Sequence, residues 1–172
     1  MNEGTTSIPR DDPDRQLAIA DPEGAGVPHV GIAGGTYTIL VSGKDTAGKY
    51  CLIDMHVPAG GGPPPHRHDF EESFTVLAGE IEVTFRGETQ VLRQGQTANI
   101  PANAPHRFRN TGEGPARLLC LCAPAGQEEF FQLVGTPVSG RTEAAPKPGP
   151  EEQAALVAKI RELAPRFVTE ML

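Results

Sequence analysis

Apolar and polar positions alternate with a period of two through the middle of the chain. TYTILVSG (36–43) and KYCLIDMHV (49–57) are two such stretches, rich in β-branched and aromatic residues. Between them, GKDTAGK carries Gly43, Asp45 and Gly48, residues of a hairpin connection. ESFTVLAG and EIEVTFRG follow as two strands broken at Gly79. TQVLRQG leads to Gly95, TANI runs into the turn PANAP, HRFRN resumes as a strand, and ARLLCLCA ends the series. The pattern predicts roughly eight or nine short strands and no helix between Thr36 and Ala123. Short strands at regular intervals, separated by turn residues, imply an all-β antiparallel sandwich or barrel.

The flanks have a different character. Residues 1–26 read as an arm: Pro9, Pro13, Pro22 and several Asp residues oppose regular structure, with room for a helical turn over Asp14–Ile19. Pro58–Pro65 (PAGGGPPP) predicts a stiff, extended loop. After the strands, QEEFFQLVG (127–135) predicts a short helix with Phe130, Phe131 and Val134 on one side and Gly135 as its stop. VSGRTEAAPKPG reads as a linker. PEEQAALVAKIRELA (150–164) predicts a longer helix: Pro150 suits the first helical position, and Glu151 and Glu152 complement the N-terminal dipole. Leu156, Ile160, Leu163 and Phe167 then form one apolar stripe, interrupted by Pro165, which packs on the body or on a second subunit. The expected division is an N-terminal arm (1–26), a β-body (27–125) and a C-terminal helical extension (126–172). Sheet edges and terminal arms predict a homodimer.

Charge narrows the partners. The formal net charge of −7 and the scattered Lys and Arg argue against nucleic acid, which requires a clustered basic surface. No stretch has the run of about 18 apolar residues that a membrane span needs. The polar N-terminus lacks the apolar core of a secretory signal. Three cysteines, Cys51, Cys120 and Cys122, have no framework spacing and read as free thiols in a reducing, cytoplasmic setting. Cys120 and Cys122 share one face of a strand, as small buried hydrophobes.

Against that background, four residues carry candidate chemistry: His66, His68, Glu72 and His106. His66 and His68 are two apart, so on a strand both imidazoles face one side. Asp69 and Phe70 lie at a bend, after which Glu72 begins the next strand and shares a face with Phe74 and Val76. His106 shares a face with Phe108. A carboxylate among apolar neighbours needs a charged partner, which a divalent cation supplies. Nitrogen and oxygen donors without thiolate suit Fe, Mn, Ni, Cu, Co or Zn, and four protein ligands on an octahedral ion leave about two positions open. Ile53, Met55, Phe74, Val76 and Phe108 are the apolar side chains expected to wall a small-molecule substrate pocket. Tyr37 and Tyr50 read as strand packing, Glu71 and Arg67 as outward-facing, His56 as an outer-face residue beside Asp54, and His29 as loop surface.

GGGPPPHRHDFEESFTVLAGE and GQTANIPANAPHRFRN together resemble the two signature motifs of the cupin superfamily. The resemblance covers about Thr36–Ala123, half the chain, and the whole is similar to small single-domain quercetin-dioxygenase-like cupins. It implies a cupin antiparallel β-barrel (double-stranded β-helix, or jelly roll) with one metal ion held by His66, His68, Glu72 and His106. Asn103 departs from the family's usual glycine; Asn is the residue next most tolerant of positive φ. The implied activity is a metal-dependent dioxygenase acting on a small enolic or aromatic compound, with Glu72 as the base. The same donor set also suits a non-redox isomerase or decarboxylase, or a non-catalytic metal-dependent small-molecule binding protein.

Overall fold

Alternating residues become strands wherever one face can be buried, and here they build two antiparallel sheets. The computed structural model describes residues 8–172. Its strands are β1 (His29–Ile32), β2 (Gly35–Val41), β3 (Cys51–Val57), β4 (His66–His68), β5 (Glu71–Ala78), β6 (Glu80–Phe85), β7 (Glu88–Arg93), β8 (Thr97–Ile100), β9 (His106–Arg109), β10 (Ala116–Ala123), β11 (Thr136–Pro137) and β12 (Thr169–Met171). The helices are α1 (Gly43–Thr46), α2 (Gln127–Val134) and α3 (Pro150–Leu163). One sheet runs β11-β1-β2-β3-β10-β5-β8 and the other β12-β4-β9-β6-β7. The two sheets remain separate, so the body is jelly-roll-like rather than a closed barrel. Inward-facing Ile53, Met55, Phe74, Ile81, Phe108 and Leu118 are at most 2% exposed and form a single core between the sheets.

Local chemistry corrects several expectations. The β2–β3 connection holds a helical turn, α1, where the sequence pattern gave only a hairpin. Asp45 Oδ2 accepts the Ser42 backbone N–H at 2.8 Å and the Ser42 hydroxyl at 2.7 Å, and the Gly48 N–H closes the turn on the Gly43 carbonyl at 2.7 Å. Buried Glu128 of α2 ties the turn down, accepting the Gly43 N–H at 2.6 Å and the Gly126 N–H at 2.9 Å. Asp14–Ile19 is not helical: Leu17 and Ile19 stay exposed, and without burial so short a helix has no support. His29 lies in β1 rather than in a surface loop, with Nδ1 2.8 Å from Thr38 Oγ1. Asp54 is buried and ion-paired to Arg117 across the β3–β10 pair, whereas its neighbour His56 is only half-buried.

The C-terminal half of the extension returns to the body. The segment after β11 runs back over β1 and β2, where Ala145 lies against Gly31 and the Thr36 hydroxyl of β2 donates to the Glu143 carbonyl at 2.6 Å, so it is docked rather than loose. Leu156, Ile160 and Leu163 of α3 pack against the core with Phe167, which stands 5.4 Å from Phe130 of α2. Helix α3 stops at Leu163, a 3-10 turn (Ala164–Phe167) carries Pro165, and left-handed Val168 (φ 48°) releases the chain into β12. That last strand has no signal in the sequence. It pairs with β4, setting Thr169 opposite His68 and Met171 opposite His66.

Candidate metal centre

The PAGGGPPP loop cannot form a helix, and its glycines let it pass close to β9. A side-chain carbon at Gly62 (φ 140°) would lie 2.3 Å from the Phe108 carbonyl oxygen. The loop delivers the chain into β4, where strand alternation turns His66 and His68 inward and Arg67 outward to an ion pair with Glu170 of β12. β4 pairs with β9 so that His66 faces His106. Strand β5 begins one residue earlier than the pattern suggested, at Glu71, and Glu72 points inward from it. Glu71 points out, accepting from Asn99 Nδ2 at 2.7 Å and the Ala102 N–H at 3.2 Å.

The four side chains meet. One donor atom from each of His66, His68, Glu72 and His106 lies within 4.8 Å of the others. His66 is 8% exposed and the other three 3% or less. Each imidazole is oriented by its Nδ1: His66 to the Pro64 carbonyl at 2.9 Å, His68 to the Phe70 carbonyl at 3.0 Å, His106 to the Ala104 carbonyl at 2.8 Å. A carbonyl only accepts, so all three Nδ1 atoms carry the proton and each neutral ring keeps its lone pair on Nε2. Nε2 of His68 and of His106 stand 3.2 and 3.1 Å from the same Glu72 oxygen, Oε2. Two lone pairs facing a carboxylate repel unless positive charge, a proton or a metal ion, lies among them.

A proton on Nε2 can play that part, and the electrostatics follow from it. Burial drives the His66 imidazole down to about 4, helped by the neighbouring His106, so it is neutral at pH 7. Burial alone would raise Glu72, but hydrogen bonds with His106 and His68 outweigh it and hold the carboxyl well below the ordinary range. Burial would likewise lower His106, and the Glu72 carboxylate reverses that and raises it. The donor set therefore fits a divalent cation: three oriented nitrogens, one anionic oxygen and dry walls.

Several contributors escaped the sequence reading. Phe70 stacks on His68, with ring centroids 3.7 Å apart. Asn110, which ends the second motif, is buried and ties three segments: its amide donates to the Val57 and Gly114 carbonyls, both at 2.8 Å, and its Oδ1 accepts the Gly112 N–H at 3.0 Å. Asn103, by contrast, takes the positive φ that its residue type allows, 67°, and its N–H donates to the His68 carbonyl at 2.6 Å, which holds the turn against β4. Ile53, Met55, Phe74, Val76 and Phe108 sit in the packed core. A groove of about 790 Å³ runs instead beside β4 and β12, lined by residues including Arg67, His68, Asn103, Arg161 and Met171. Tyr37 packs against Phe131, with rings 5.0 Å apart, while Tyr50 stays partly exposed.

Comparison with known proteins places this architecture. The cupin domain model matches residues 53–122. An uncharacterized protein of Methanocaldococcus jannaschii is 32% identical over 87 residues, spanning 50% of this chain and 70% of that protein. Quercetin 2,3-dioxygenase of Bacillus subtilis is 30% identical over 101 residues, 58% of this chain but only 30% of the dioxygenase. Among solved structures, an RmlC-like cupin from Shewanella frigidimarina superposes with a TM-score of 0.53 at 17% identity, covering 66% of this chain and 99% of that one. The chain belongs to the cupin superfamily.

Proposed function

We propose that His66, His68, Glu72 and His106 hold one divalent transition metal ion and that the chain is a dioxygenase acting on a small enolic or aromatic compound. The observation that carries the metal assignment is the tautomer pattern: three Nδ1–H groups committed to carbonyls leave three Nε2 lone pairs converging on one buried carboxylate. The resemblance to quercetin 2,3-dioxygenase supports the reaction class. When bound, the ion supplies Lewis acidity and, if redox-active, electron transfer between substrate and dioxygen. The protein's part is to orient and to exclude water. The carbonyls of Pro64, Phe70 and Ala104 fix the rings, Phe70 shields one face of His68, and Glu72 Oε2 is the group placed to take a proton from an acidic substrate hydroxyl. Ile53, Met55, Phe74, Val76 and Phe108 are the apolar side chains proposed to wall the substrate pocket.

The proposed organisation is an arm (1–26), a cupin body (27–125) and a helical extension (126–172). Three buried free thiols support a reducing, cytoplasmic setting, and the outer edges of β7, β8 and β11, unpaired among the described residues, support homodimerisation. Elemental analysis of protein purified without added metal tests the site, with His66→Ala and His106→Ala expected to lose the ion and keep their strand content. Oxygen uptake with flavonols and β-diketones, after reconstitution with Fe, Mn, Ni, Cu or Co, tests the reaction. Turnover that persists without oxygen would instead assign an isomerase or decarboxylase. Bound metal without turnover under any condition would assign a binding protein.

A further inference from the structure

The two oxygens of Glu72 face different chemistries. Oε2 faces the imidazoles. Oε1 faces sulfur: Cys120 Sγ lies 3.4 Å away and Cys122 Sγ 3.8 Å away, and the two sulfurs are 3.7 Å apart. Strand register makes this arrangement. Cys122 stands opposite Glu72 across the β10–β5 pair, and Cys51 of β3 stands opposite Cys122 on the other side. All three thiols are fully buried. Among the described residues the two sulfurs are the sole hydrogen-bonding neighbours of Oε1, and a thiol is a weak donor. A desolvated carboxylate oxygen is thus left with poor partners, while the other oxygen of the same group faces two ring nitrogens.

The triangle Oε1–Sγ–Sγ has edges of 3.4, 3.7 and 3.8 Å. An ion that holds thiolates at about 2.3 Å and a carboxylate oxygen at about 2.0–2.2 Å in tetrahedral geometry spaces those ligands roughly 3.5–3.8 Å apart. The three atoms therefore already form one face of such a shell. We propose that Glu72, Cys120 and Cys122 form a second cation site for a thiophilic ion, with Glu72 as a carboxylate shared between the nitrogen set and the sulfur set. Soft donors select zinc, cadmium or cuprous copper over the harder ions. Loading is not a redox step: two S–H bonds give way to two sulfur–metal bonds, and the two protons leave to solvent. The proposal does not require an ion among the imidazoles.

The test uses Cd(II) as probe, both added to the native chain and present during refolding from denaturant, so that burial of the thiols cannot block entry. The readout is the ultraviolet thiolate-to-cadmium charge-transfer absorption, with proton release followed in weak buffer. The wild-type chain is expected to show the band, with about two protons released per ion. Cys120→Ala/Cys122→Ala is expected to lose the band, although Cys51 is still present. Cys120→Ser and Cys122→Ser, which change the buried volume least, are each expected to weaken it at least about tenfold. His66→Ala/His106→Ala is expected to keep the band, which separates this site from the nitrogen site. Absence of the band from refolded wild-type protein, its survival in the Cys120→Ala/Cys122→Ala chain, or its loss from a folded His66→Ala/His106→Ala chain would each overturn the proposal.

Discussion

Phe70 lies parallel to His68, its ring plane within 1° of the imidazole and the centroids 3.7 Å apart. The backbone carbonyl of Phe70 also accepts the His68 Nδ1–H, so one residue fixes both the plane and the rotation of that ring. Phe70→Ala keeps the carbonyl and removes the stacking face. Because Phe70 is buried, the variant should lose about 3 kcal/mol of stability and bind metal roughly tenfold more weakly. Denaturant unfolding and competition with a chelator measure the two effects separately. Unchanged metal affinity in a folded variant would show that the carbonyl alone orients the ring.

Asp54 and Arg117 are unequally exposed partners. The Asp54 side chain is 1% exposed and the Arg117 side chain 36%, and the pair is bidentate, with Nε 3.1 Å from Oδ1 and a terminal guanidinium nitrogen on Oδ2. Arg117→Met leaves a buried carboxylate without its counter-charge. The expected cost is roughly 2–4 kcal/mol, toward the lower end of what such breaks cost because water already reaches the arginine. Asp54→Asn should cost less, since the amide needs no cation. A urea midpoint for each variant checks the order, and equal midpoints would contradict it.

The thiols set an alkaline limit. Burial pushes Cys120 up to about 12; Cys122, hydrogen-bonded to Cys120, and Cys51, hydrogen-bonded to Cys122, are raised as well. An unfolded thiol ionises from an ordinary value of 9.0, so above that pH the unfolded chain binds fewer protons than the folded one. The thiols should therefore leave stability of the metal-free protein untouched near pH 8 and lower it as pH rises beyond 9. Thermal melts across that range give the slope. At pH 8 a thiol reagent should find no reactive cysteine until denaturant is added.

β12 covers the β4 edge that would otherwise expose the backbone of the histidine strand. Deleting residues 168–172 should lower Tm by several degrees and cause concentration-dependent self-association, because an uncovered strand edge is a template for another chain. Light scattering across a dilution series checks this. By contrast, Glu170→Ala should shift Tm little, since its ion pair with Arg67 is solvent-exposed on both sides.

The strands from Thr36 to Ala123 were legible because alternation and turn residues are local signals, and the His66–His68 spacing states its own geometry. Asn103 was legible too: a residue tolerant of positive φ stands where the backbone takes 67°. What escaped depends on distant partners. β12 is three residues long and exists because β4 offers a free edge. β1 contains Gly31 and is held between β2 and β11. The burial of Asp54 depends on Arg117 of another strand, which the local alternation does not reveal. The stacking of Phe70 and the sulfur neighbours of Glu72 follow from side-chain packing, which spacing along a chain does not encode.

Gly62 stands where no side chain fits. Its missing side chain lets the proline-rich loop press directly on the Phe108 carbonyl, two residues from His106. The two histidine-bearing strands thus share a hard mechanical stop set by one absent carbon atom. A methyl group introduced there would act as a wedge, splaying the donors of β9 from those of β4 while leaving every candidate ligand chemically intact.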